Sequence, residues 1–265
     1  MAFLMAFILK VGEIYAFVGL LLFLGIMLYR SSRKHKQKVK DEAEIRSLRK
    51  EDIGTVTDMI TESSAQISKV FRKTSALYSN LIDNLSLQDL AKLKENKKDQ
   101  KKLEKEIDEL KSNVFYFIKN LDDNSVEASK FYILILGYLQ DMVQSIDFIT
   151  ANSYSHVANN HKQLKFNQIR DLKTIDKQLQ HLLQLLEDSF KSEDFYRIDL
   201  ILNDKEILLE TVSELISKQI KRIRTTETSP KNSKLYFALL LETNDLVKSI
   251  MNLLELFKEF NKLNK

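Results

Sequence analysis

The sequence predicts an all-α protein: two tandem three-helix bundles preceded by an N-terminal transmembrane helix. Three observations predict it. The 265 residues include only five Gly and one Pro, and β-sheet folds need far more turn residues than that. Apolar residues recur every three or four positions from Asp41 onward, the period of a helix with one buried stripe. Finally, Ile14–Tyr29 (IYAFVGLLLFLGIMLY) carries no charge and is followed at once by RSSRKHKQKVK.

The uncharged run spans ~24 Å as a helix, and extending it to Ser32 approaches the ~30 Å hydrocarbon core. Tyr15 and Tyr29 stand at its ends, where interfacial aromatics are favoured. Six Lys/Arg follow between Arg30 and Lys40, which places that end in the cytoplasm. A cleaved secretory signal would instead carry its charge before the apolar run and a small-residue site after it. Residues 1–9, MAFLMAFIL, are too short to span; they read either as the end of a preceding membrane helix or as a plain hydrophobic N-terminus. The expected division is 1–33 membrane segment, 34–52 basic linker, 53–160 first helical repeat and 161–265 second repeat. The bulk of the chain is expected on the cytoplasmic side of the inner membrane.

Within the first repeat, Ile53, Val56, Ile60, Ile67, Phe71, Leu77, Leu81 and Leu85 mark one stripe. Ser86 and Asp89 have the spacing of a helix cap, opening a helix to about Leu121 whose Lys and Glu are intermixed as on a solvated face. Asp122–Asn124 breaks it, and Asn124 with Glu127 offers the next cap. Phe131–Leu136 is apolar on every side and should therefore be central. The second repeat holds helices from about His161 to Phe190, from Glu193 (capped by Ser192) to Arg224, and from Pro230, suited to a first helical turn, to about Asn261. Ser129-Lys130-Phe131-Tyr132 matches Ser233-Lys234-Leu235-Tyr236, and Asp141–Ile146 matches Asp245–Ile250. Both matches lie at one offset of 104 residues, the mark of a duplicated unit, of a size able to hold its own core.

Little in the chain points to chemistry. There is no cysteine, which removes disulfides, thiolate metal sites and thiol nucleophiles. The charges nearly balance, 41 basic against 37 acidic, so no nucleic-acid groove is indicated. No Gly-rich phosphate loop occurs, and neither a catalytic residue nor a cofactor is expected. Asp141, Asp147 and Asp245 are the carboxylates worth weighing as metal ligands, since Asp141 recurs as Asp245 within an apolar helix. A hydrogen bond across the bundle, or partial exposure, is the plainer account. His156 and His161 are five apart, a poor zinc spacing, and read as surface or cap residues; His181 reads as a helix-flank residue.

Two tandem three-helix units, related by a pseudo-twofold repeat, are also the plan of PhoU proteins, and Asp141–Asp147 (DMVQSID) resembles that family's helix motif D-L-E-R-I-G-D. Val143 and Val247 replace its Glu and Met251 its second Asp, so the resemblance does not carry over the family's metal cluster. The chain is more similar still to the C-terminal, PhoU-like extension of bacterial, Bacteroidota-type PiT-family inorganic phosphate transporters. The similarity lies in Lys111–Phe117 (KSNVFYF), Phe148–Thr150, Ser155–His161 (SHVANNH), Gln219–Arg224 (QIKRIR) and Asn232–Tyr236 (NSKLY). It implies a regulatory or assembly domain of a phosphate transporter, with the membrane, the transporter's membrane core or another helical protein, and a second copy of the chain as partners. A membrane-anchored scaffold or signalling adaptor unrelated to phosphate is the alternative.

Overall fold

The computed structural model describes residues 50–119, 126–192, 198–225 and 229–263. They form six helices: α1 (Lys50–Leu87), α2 (Leu90–Lys119), α3 (Val126–Ala158), α4 (Phe166–Ser192), α5 (Ile198–Arg224) and α6 (Pro230–Leu263). No strand occurs among the described residues, as the scarcity of turn residues implied. The run Ile14–Tyr29, the basic linker as far as Arg49, the break expected at Asp122–Asn124 and the helix start expected at Glu193 lie outside them. No described helix is long and apolar enough to cross a membrane. Leu48–Lys265 makes one compact unit.

The helix ends are set by local hydrogen bonding, which corrects three expected boundaries. α1 does not stop before Ser86, whose hydroxyl donates back to Asp83 O. It runs to Leu87 and closes with Gln88 at φ 52°, Gln88 N–H bonding Leu85 O and Asp89 N–H bonding Asn84 O, the paired bonds of a Schellman end. Asp89 is the true cap of α2, its carboxylate accepting from Lys92 N–H at 3.0 Å. α3 ends the same way at Asn160, φ 53°. α4 then starts at Phe166 and not at His161, because Gln168 reaches back to accept the Lys165 N–H at 3.0 Å, half of a capping box. Pro230 opens α6 with Ser229 Oγ accepting from Asn232 N–H. Ser192, expected as a cap, is the last residue of α4 and bonds back to Asp188 O.

α1 lies against α3 and α4, and α3 against α6; α2 packs on α1 and α3, and α5 on α4 and α6. Four phenylalanines join the four central helices edge to face. Phe71 of α1 meets Phe190 of α4 at 5.2 Å, Phe190 meets Phe257 of α6 at 4.5 Å, and Phe257 meets Phe131 of α3 at 6.2 Å. The expectation that each set of three helices closes its own core is thus replaced by one shared core. The run Phe131–Leu136 is less enclosed than its composition suggested: Phe131, Ile135 and Leu136 are buried, but Ile133 is 53% exposed.

Replacing Phe190, the middle of the aromatic chain, by Ala removes two ring contacts at once. Phe190→Ala is expected to cost about 3–5 kcal/mol, read as a lowered urea midpoint for Leu48–Lys265; a cost below about 1 kcal/mol would show that the four helices are held elsewhere.

Candidate functional site

The polar interior gathers near the end of the bundle where α3 passes to α4 and α5 to α6. Asp171, one turn into α4, is 6% exposed. Its Oδ2 accepts from Arg222 Nη2 of α5 at 2.6 Å and its Oδ1 from Lys218 Nζ at 3.1 Å. The Tyr236 hydroxyl of α6 donates to Oδ2 at 3.4 Å, and the Arg222 guanidinium stands 5.8 Å from the Tyr236 ring centre. Arg222 Nη1 and Gln168 Nε2 both donate to Gln219 Oε1, at 3.4 and 3.2 Å, and Gln219 Nε2 donates to Ser233 Oγ at 3.2 Å. The group therefore ties α4, α5 and α6 by matched donors and acceptors. Burial, and next the charge of Asp171, push the Tyr236 phenol well above its ordinary range, so it stays a proton donor at neutral pH.

Neighbouring connections belong to the same end. His156 is buried, correcting its reading as a surface or cap residue. Its Nε2 lies 2.9 Å from Lys162 O, its ring meets His161 edge-on at 5.2 Å, and burial lowers its pKa. Asn232 Nδ2 donates to Gln163 O at 2.8 Å. Gln163 Nε2 donates to Ser86 O at 2.5 Å, and Gln88 Nε2 donates to His161 O at 3.4 Å. Three of the segments singled out for resemblance, Ser155–His161, Gln219–Arg224 and Asn232–Tyr236, thus build one polar end. Sequence reasoning missed Asp171 and Gln168. The signal was present in their positions: both stand on the buried stripe with Leu172, Ile175 and Leu179, where an apolar residue would be expected.

Further polar groups sit deeper. Thr243 gives its proton to Leu239 O, so Tyr78 of α1 donates to Thr243 at 2.7 Å, joining α1 to α6. Asp176 is buried with Oδ2 accepting from Ser79 Oγ and Oδ1 unpartnered; burial raises its pKa. In α2 the buried seam Leu93, Asn96, Gln100, Leu103, Ile107 has the spacing of a coiled coil, with Asn96 accepting from Asn84 of α1 at 2.7 Å and neither amide atom of Gln100 partnered.

The candidate carboxylates are not brought together. Asp141 is exposed and Asp147 partly so, while Asp245 is partly exposed with Lys248 Nζ 3.9 Å away. Among the described residues no three His, Asp or Glu side chains are grouped to hold a metal. His181 is on a flank as expected, its Nε2 3.2 Å from Asp204. Comparison of the chain with protein-family models, with curated proteins and with solved structures finds no match.

Without Arg222 the buried Asp171 carboxylate keeps only the solvent-exposed Lys218 as a counter-charge, and breaking a buried pair on one side is costly. Arg222→Met is therefore expected to cost about 3 kcal/mol or more, while Asp171→Leu with Arg222→Met recovers most of the loss; thermal melts of the two variants check this. Burial raises the Asp176 pKa above its ordinary value. The folded state thus holds its proton to higher pH than the unfolded chain does, and stability falls as pH rises between the two pKa values. Asp176→Asn should raise the melting temperature at pH 7 by about 2–4 °C, equivalent to about 1 kcal/mol, and leave it unchanged near pH 3.5. An equal change at both pH values would sink that assignment.

Proposed function

We propose that this chain is a membrane-tethered, PhoU-like regulatory or assembly module of an inorganic phosphate transporter, with its helical part on the cytoplasmic side of the inner membrane. The observation that carries the reading is a duplicated block with duplicated burial. Met142, Val143 and Ile146 of α3 are all buried, as are Leu246, Val247 and Ile250 at the matching positions of α6, and Ser145 and Ser249 are buried beside them. Helix neighbours support the same reading. α1 pairs with α4 and α3 with α6, while α2 lies on the first and third helices of its set as α5 does on those of its own. Two three-helix units exchanged by a pseudo-twofold axis would have these pairings. The phosphate link comes from the resemblance of Ser155–His161, Gln219–Arg224 and Asn232–Tyr236 to the PiT-family extension, and these segments hold the buried polar end.

Such a module works by contact. A bundle that touches two conformations of a transporter differently shifts the equilibrium between them by that difference in binding free energy. The Asp171 network suits a part that must keep one shape while doing so, since a charged core specifies an arrangement more than it stabilises it.

Deleting residues 48–265 in cells is expected to change phosphate uptake, or its shut-off at high phosphate, at least twofold while the remaining membrane protein is made at normal level. Unchanged uptake together with an unchanged phosphate-starvation response would refute the reading and leave the anchored scaffold in its place.

A further inference from the structure

The end of the bundle that carries the polar network presents an apolar, basic surface. Phe166, Leu87 and Leu90 are 82%, 69% and 42% exposed. Phe166 is the first residue of α4, Leu87 the last of α1 and Leu90 the first of α2. The Gln163–Ser86 and Gln88–His161 bonds fix these starts and ends beside one another, as does the ion pair of Lys173 with Asp83. A phenylalanine this exposed gains little from the fold, since most of its area stays in water.

Charge is concentrated at the same end. The three connections with their flanking turns, residues 86–94, 159–170 and 221–234, contain ten basic residues and two acidic ones. One of the ten, Arg222, is buried against Asp171; Lys162, Lys165, Arg224 and Lys231 are exposed. The whole chain carries 41 basic and 37 acidic residues, so everything outside this end is acidic on balance. Exposed aromatic and aliphatic side chains ringed by lysine and arginine match one surface in particular. The rings and methyls enter the headgroup–acyl boundary while the cations meet anionic headgroups.

We propose that this end of the bundle, through Phe166, Leu87 and Leu90 within their basic collar, docks on the surface of an anionic lipid bilayer. This attachment does not rest on the proposed function. α1 places the end about 57 Å from Lys50, given 38 residues at 1.5 Å each.

The compact unit Leu48–Lys265, which holds the whole shared core, can be tested by co-sedimentation with vesicles of phosphatidylcholine alone or with 30% phosphatidylglycerol. Binding is expected only to the anionic vesicles and to weaken with salt. Phe166→Ser with Leu87→Ser, and separately Lys162→Gln with Lys165→Gln, should each weaken it about tenfold or more with unchanged helicity. The absence of cysteine gives a second measurement: an environment-sensitive dye on Phe166→Cys should shift to the blue on anionic vesicles, while one on Lys105→Cys, exposed in the middle of α2, should not. No binding overturns the proposal. So does binding that the apolar substitutions leave intact, because it would then be bare charge attraction of the kind an acidic protein or a nucleic acid could equally satisfy.

Discussion

A helix with one oily stripe can bury it only against another such stripe, and the pairing of α1 with α4 and of α3 with α6 is the constraint on which this fold rests. Helices of 27 to 38 residues are not held in water by propensity alone. Each depends on its neighbours, and the aromatic chain from Phe71 through Phe190 and Phe257 to Phe131 is where those dependencies meet. α2 shows the point at its limit. Most of its surface is Lys and Glu, and it is kept in place by the narrow seam of Leu93, Leu103 and Ile107.

An oily seam alone leaves helices free to slide, since one leucine packs much like the next. Polar groups inside the seams remove that freedom. Asn96 must meet Asn84, Tyr78 must meet Thr243, and Asp171 must meet Arg222, or a desolvated polar atom is left without a partner. Each match fixes one helix against another along its length. Together they fix α2 on α1, α1 against α6, and α5 on α4, while the Gln163–Ser86 and Gln88–His161 bonds hold the start of α4 by the end of α1.

Periodicity made the helices legible, and scarcity of Gly and Pro excluded strands. Pro230 and the stripe through Leu77, Leu81 and Leu85 sit as the spacing required. Boundaries were less legible where competing local bonds decide them. Ser86 and Asp89 are both good caps by type, and only the left-handed turn at Gln88 settles that Asp89 serves. The helix that holds Phe131–Leu136 is central as expected, but Ile133 stays exposed, because composition does not say which face a neighbour covers. The Asp171 network was legible only in part. Polar residues on a buried stripe flag themselves, but which of several cations answers Asp171 depends on how α5 lies across α4. The histidine pair was read from spacing, and spacing does not reveal that His156 turns inward to hold Lys162 O.

The short connection from Asn159 to Lys165 joins two halves whose most extensive helix pairings, α1 with α4 and α3 with α6, run from one half to the other. Cutting the chain there would give two pieces, each with a long oily flank and nothing of its own to cover it. Neither piece has a closed interior, so the molecule should melt in one step and not as two domains in succession. Separate halves, mixed, would sooner find each other than fold apart, because the surface each lacks is the one the other carries.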